Sequence, residues 1–80
     1  MMNDAALLEQ VVLLAILKKE PNESIDDVLK MLEESRAMSL AEGREIVARL
    51  EQEEAIVDGK LTFLGIAMAN EALKAFTLED

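Results

Sequence analysis

The sequence predicts a mainly α domain with a small β-hairpin, its elements in the order α-α-α-β-β-α. Three observations carry that prediction. Apolar residues recur at helical spacing in four separate stretches. An Asp58-Gly59 pair stands between two short runs of β-forming residues. Ser24 and Ser39 each precede a carboxylate by three residues at the foot of an apolar run. The 80 residues are read as one domain, 1–80, whose core leaves little net stability, so that burial against a partner would help it.

The first helix is expected from about Asn3 to Lys19. Asn3 or Asp4 can cap its start, Lys18 and Lys19 suit the negative end of its dipole, and Pro21 stops it. Leu7, Val11 and Leu14 share one side, while Val12, Leu13, Ile16 and Leu17 cover the rest, so this helix calls for burial all round, which is hard to arrange within one chain of 80 residues. The second helix starts at Ser24, with Asp27 as its capping-box partner and Ile25, Val28, Leu29 and Leu32 as its inner stripe. The third starts at Ser39 with Glu42 in the same role. It turns Leu40, Gly43, Val47 and Leu50 inward, with Ile46 beside them, and ends near Glu53–Glu54. Residues 55–63 form the hairpin, because both residues of an Asp-Gly turn tolerate positive φ. A hairpin this short must lean on the helices. The last helix runs from about Leu64 to Phe76, capped by Thr62, with Gly65, Met68, Ala69, Ala72, Leu73, Ala75 and Phe76 on a wide apolar face.

Two segments within residues 24–73 carry a family likeness. They are Ile46-Val47-Ala48-Arg49-Leu50-Glu51 through Ile56, and Gly59-Lys60-Leu61-Thr62-Phe63-Leu64-Gly65. This order resembles the recognition helix, wing and final helix of the winged-helix (winged helix-turn-helix) family, with Leu61-Thr62-x-x-Gly65 as the closest phrase. The resemblance implies a winged-helix fold and a place in transcription regulation. Three departures stand out. Glu20-Pro21-Asn22-Glu23 occupies the place of the family's short strand. The wing is a two-residue turn. The recognition helix is acidic: from Ser39 to Glu54, five carboxylates face two guanidinium groups.

Composition limits the chemistry. There is no cysteine, histidine, tyrosine or tryptophan, so disulfides, thiolate metal sites and the commonest general base are excluded. Ser24, Ser35, Thr62 and Thr77 have no histidine to activate them, and the chain reads as a non-enzyme without a cofactor. The adjacent pairs Asp26–Asp27, Glu33–Glu34 and Glu53–Glu54 diverge on a helix surface and read as solvated charge, not a metal site. The apolar run Val11–Leu17 is too short for a membrane span, and with no secretory pattern the reading is a cytosolic domain.

Seventeen acidic and eight basic residues give a net charge of −9, which repels a phosphate backbone at long range. Nucleic acid is therefore the disfavoured partner. Were DNA read in the major groove by helix 39–54, Arg44, Arg49, Gln52 and Lys60 would make the contacts, against Glu42 and Glu45 on the same exposed side. A further alternative rests on Ser39-Leu40 followed by Glu45-Ile46-Val47 and Leu50-Glu51, which resembles the prosthetic-group serine of acyl carrier proteins. The aspartate expected before that serine is Met38 here, and a helix cap accounts for Ser39 alone.

The reading favoured is a protein-interaction or dimerisation module, an adaptor or regulator whose partner is another protein or a second copy. Its interface is expected on the first and last helices, at Leu7, Val11, Leu14, Gly65, Met68, Ala69, Ala72 and Phe76. The small residues among these would allow close helix approach, and Met31, Met38 and Met68 would supply adaptable apolar surface. Leu14→Glu or Ala69→Glu is expected to break the assembly.

Overall fold

The computed structural model describes the backbone of residues 4–77 and the side chains of residues 7–75. Its elements are α1 (Asp4–Lys18), α2 (Ile25–Glu34), α3 (Leu40–Gln52), β1 (Ile56–Val57), β2 (Lys60–Leu61) and α4 (Phe63–Thr77). This is the mainly helical α-α-α-β-β-α arrangement that the sequence predicts. Asn3, one of the two expected caps of the first helix, lies outside the described residues.

Both capping boxes form. Ser24 Oγ accepts the Asp27 N–H at 3.0 Å, and Asp27 Oδ2 accepts the Ser24 N–H at 3.1 Å. Ser39 Oγ accepts the Glu42 N–H at 3.1 Å, and Glu42 Oε1 accepts the Ser39 N–H at 3.0 Å. Each box satisfies two donors at a helix start that would otherwise need water. The segment between α1 and α2 is a turn in place of a strand. Glu20 N–H donates to Glu23 Oε1 at 2.9 Å, and Lys19 Nζ donates to the Glu23 carbonyl at 2.9 Å.

The ends of α2 and α3 share one device. In α2, the Arg36 N–H donates to the Glu33 carbonyl and the Ala37 N–H reaches back to Leu32, each at 3.0 Å. In α3, Glu54 donates to Glu51 at 3.0 Å and Ala55 to Leu50 at 2.9 Å. These are paired Schellman bonds, which need a left-handed residue just past the helix. Arg36 and Glu54 take that role at φ 65°, without the glycine that usually marks it.

The hairpin pairs Ile56 with Leu61 and Val57 with Lys60, antiparallel. Asp58 and Gly59 turn it at φ 53° and 74°, as the Asp-Gly pair implies. Ile56 is buried and Leu61 half-buried, while Val57 and Lys60 are exposed, so the ribbon leans on the helices through one side.

The core joins all four helices and the hairpin: Val12, Leu13 and Ile16 of α1, Val28, Leu29 and Leu32 of α2, Ile46 and Leu50 of α3, Ile56, and Ala69 of α4, together with Met38 and Ala55. Two outcomes bear on the sequence reading. First, the chain by itself does not bury α1 all round. Its Val12–Leu13–Ile16 side enters the core, whereas Leu7 is 42% exposed and Val11 and Leu14 are half-buried, because one 80-residue chain cannot surround a helix. Second, α3 turns Gly43, Ile46 and Leu50 fully inward, leaving Leu40 and Val47 half-buried at the edge.

Candidate interaction surface

Helices α1 and α4 lie side by side and antiparallel. At one end of their seam, Ile16 and Leu17 of α1 share a hollow with Leu61 and Ile66, rimmed by Lys19 and Lys60. At the other end, Glu9, Gln10 and Leu13 face Met68, Glu71, Ala72 and Ala75. Residues three, four or seven apart stay on one side of a helix. From Leu17 the α1 flank therefore continues through Leu14 to Leu7, and from Ile66 the α4 flank continues to Leu73. Leu7, Ile66 and Leu73 are 42%, 38% and 37% exposed. Each helix thus leaves large apolar side chains open, Leu7 on α1 and Ile66 and Leu73 on α4, while Glu9, Gln10 and Glu71 line the seam between the helices near the start of α1.

This surface differs from the expected interface in its α4 half. Gly65, Ala69 and Ala72 are buried within the chain, and Met68 is half-buried. For the three buried small residues, the close approach that such residues permit is made by the chain's own neighbours, while Met68 keeps part of its surface open beside Glu9, Gln10 and Glu71. Ala69→Glu would accordingly disrupt the fold itself, whereas Leu14→Glu falls on the open side. The side chain of Phe76 lies outside the described residues. Met38 is core, Met31 exposed. Ile66 and Leu73 are the α4 residues that replace the buried set, and their seven-residue spacing is the signal in the sequence that points to them.

The Leu61-Thr62-x-x-Gly65 phrase has a structural cause here. Thr62 Oγ1 donates to the Glu54 carbonyl at 2.7 Å and accepts the Gly65 N–H at 3.2 Å, so one hydroxyl ties the end of α3 to the start of α4. A Cβ at position 65 would run into the Ala55 carbonyl oxygen, which also accepts the Thr62 N–H at 2.9 Å. The two residues between, Phe63 and Leu64, point outward, and Phe63 is 92% exposed.

The residues considered for DNA are brought together only in part. Arg44 contacts Asp26 of α2 at 3.4 Å, and Asp26 also holds Lys30 at 3.8 Å. Arg49 and Gln52 share a depression on the outer side of α3 with Ala48 and Glu45, so a carboxylate lines that surface. Lys60 lines the separate hollow beside α1. Ser39, considered as a carrier serine, has its hydroxyl engaged at the start of α3. Among the described residues, no helix is long and apolar enough to cross a membrane, and no three potential ligands gather as they would around a metal ion.

Set against known protein families, curated proteins and solved structures, the chain matches none of them.

Proposed function

We propose that this chain is a non-catalytic, winged-helix-like module of the cytoplasm that acts by docking onto protein, as an adaptor or regulator, through the open side of the α1–α4 pair. One observation carries the reading: Leu7 of α1 and Ile66 and Leu73 of α4 are each more than a third exposed on two neighbouring helices. A single exposed leucine is ordinary on a surface, but three large apolar side chains left open on two packed helices of so small a chain support an interaction site. The winged-helix resemblance supports the setting in regulation, and the acidic α3 surface argues for protein over nucleic acid as the target.

The test asks whether these residues serve the fold. Leu7→Gln, Ile66→Gln and Leu73→Gln are each expected to lower stability by about 1 kcal/mol or less, since much of each side chain already meets water. Urea unfolding in dilute solution measures this. Losses as large as those of core truncations, about 2–5 kcal/mol, would show that the flank is structural and end the reading.

A further inference from the structure

We infer that the hollow where α1, β2 and α4 meet takes a short apolar and acidic segment of another protein, resting on the docking reading above for a protein as the target. One large apolar side chain of that segment sits on Ile16, Leu17, Leu61 and Ile66, and a neighbouring carboxylate is held at Lys19 and Lys60. The hollow measures about 210 Å³. Sites for small molecules are commonly about 300–1,000 Å³, whereas a space of this size suits one anchoring side chain. Phe63 stands one turn before Ile66 on the same side of α4 and is 92% exposed. Apolar surface therefore continues past the hollow, beyond what one small ligand would cover.

Charge selects the occupant. The depressions on the outer side of α3, between α1 and α3, and between α1 and α4 near the start of α1 are each lined by at least one glutamate. This hollow is lined by two lysines and no carboxylate, within a chain of net charge −9. The end of α1 and the first turn of α4 meet here, so their opposed dipole ends offset each other and the lysines set the local sign. Lys19 is held in place, because its ammonium donates to the Glu23 carbonyl at 2.9 Å and to the Glu20 carbonyl at 3.5 Å. Both acceptors are neutral, so the charge of Lys19 and the last of its three donors remain for an anion. The Lys60 side chain makes no hydrogen bond or ion pair among the described residues. A purely apolar partner would cover these two ammonium groups without a counter-charge, and a basic partner would be repelled by them. The charge of −9 repels a long acidic run, so the carboxylates are few and the apolar anchor brings them close. A bilayer fits less well, since anionic lipid is held by a broad basic surface and this chain offers two lysines around a concavity.

The test uses the full chain and two end-capped peptides of glycine and serine. One carries a leucine flanked by two aspartates, the other the same leucine flanked by two asparagines. In nitrogen-15 NMR titrations, the aspartate peptide should shift the amides of Ile16, Leu17, Lys19, Lys60, Leu61 and Ile66 saturably at high micromolar to millimolar concentration, and the asparagine peptide should bind several-fold more weakly. Lys60→Gln should weaken the aspartate peptide roughly threefold and Lys60→Glu roughly tenfold, while Lys60→Arg retains it. Lys60 is exposed, and circular dichroism verifies that each variant is folded. Equal binding of the two peptides, or binding indifferent to Lys60→Glu, would show that the lysines do not select the partner and would overturn the proposal. Amides that stay unmoved at millimolar aspartate peptide would overturn it as well. So would co-sedimentation with phosphatidylserine vesicles by a chain that ignores both peptides, which would make the occupant a lipid surface. These outcomes leave the docking reading to its own unfolding test, and a core-sized stability loss in Ile66→Gln would end that reading whatever the titrations give.

Discussion

A methyl group added at position 65 has no room. The nearest obstacle is the Ala55 carbonyl, and Leu61 Cδ2 lies 2.9 Å from the same point. The leucine could rotate away. The carbonyl could not, because it accepts the Thr62 N–H that begins the turn into α4. Gly65→Ala is therefore expected to destabilise the chain by about 2–3 kcal/mol, at the upper end of ordinary overpacking, as read from the urea midpoint. An unchanged midpoint would mean that the junction can shift. Gly43 is a contrast, since its added Cβ would meet Leu29 Cδ2 at 2.8 Å, the far end of a flexible side chain. Asp27 supplies a second prediction. Its carboxyl is held below the usual carboxylate range, chiefly by the Ser24 backbone N–H and then by the Ser24 hydroxyl. The folded chain thus binds this proton less readily than the unfolded one. The stabilisation is fully present above the ordinary aspartate value and is lost as pH falls through the lower, folded value. Asp27→Asn should flatten the acid limb of a stability-against-pH curve relative to wild type. An acid limb of unchanged steepness would show that the ionised carboxylate of this capping box adds nothing.

The helix ends separate what was legible from what was not. The starts of α2 and α3 could be read directly, since Ser24 with Asp27 and Ser39 with Glu42 close their bonds within four residues of chain. The Asp58-Gly59 turn and the Thr62 cap are equally local, and they gave the hairpin and the start of α4. The ends of α2 and α3 could not be read, because Arg36 and Glu54 occupy left-handed positions that only a glycine would have announced. A side chain there costs about 1–2 kcal/mol in the folded chain, partly offset by the extra freedom that glycine has when unfolded. Arg36→Gly should therefore stabilise the chain by about 0.5–1 kcal/mol, visible as a higher urea midpoint, and a lower midpoint would contradict this account of the α2 terminus. The candidate interface shows the other limit. Periodicity makes α4 apolar over a wide arc, but which part of that arc faces inward depends on how α4 docks on α1. That is a tertiary fact, and it buried Ala69 and Ala72 while leaving Ile66 and Leu73 outside. Lys60 moved from the expected nucleic-acid set to the hollow beside Ile16 and Leu17 for the same reason.

Charge and apolar surface are divided between different sides of the chain, and the division bears on what each side can bind. The outer side of α3, where a winged helix would meet a major groove, exposes Glu42 and Glu45 with Arg49 and Gln52. Arg44, at the edge of that side, already faces Asp26. A duplex approaching there meets carboxylates close by and a net charge of −9 at long range. Self-association through α1 would not remedy this, because it doubles the charge without adding a basic residue to α3. Fluorescence anisotropy of a labelled duplex at low salt, where phosphate attraction is strongest, is therefore expected to stay flat to high micromolar protein. Arg49→Ala and Lys60→Ala should leave that flat response unchanged. Saturable binding that weakens steeply with added salt and falls with either substitution would return α3 to the major groove, and would require Glu42 and Glu45 to turn away from the phosphates. Duplex attraction follows the sign of the surface and not the shape of the fold, so Glu42→Lys with Glu45→Lys supplies the reciprocal case. Reversing both charges should produce salt-sensitive, sequence-independent duplex binding, at a cost of about 1 kcal/mol in stability because Glu42→Lys removes the carboxylate that accepts the Ser39 N–H at the start of α3.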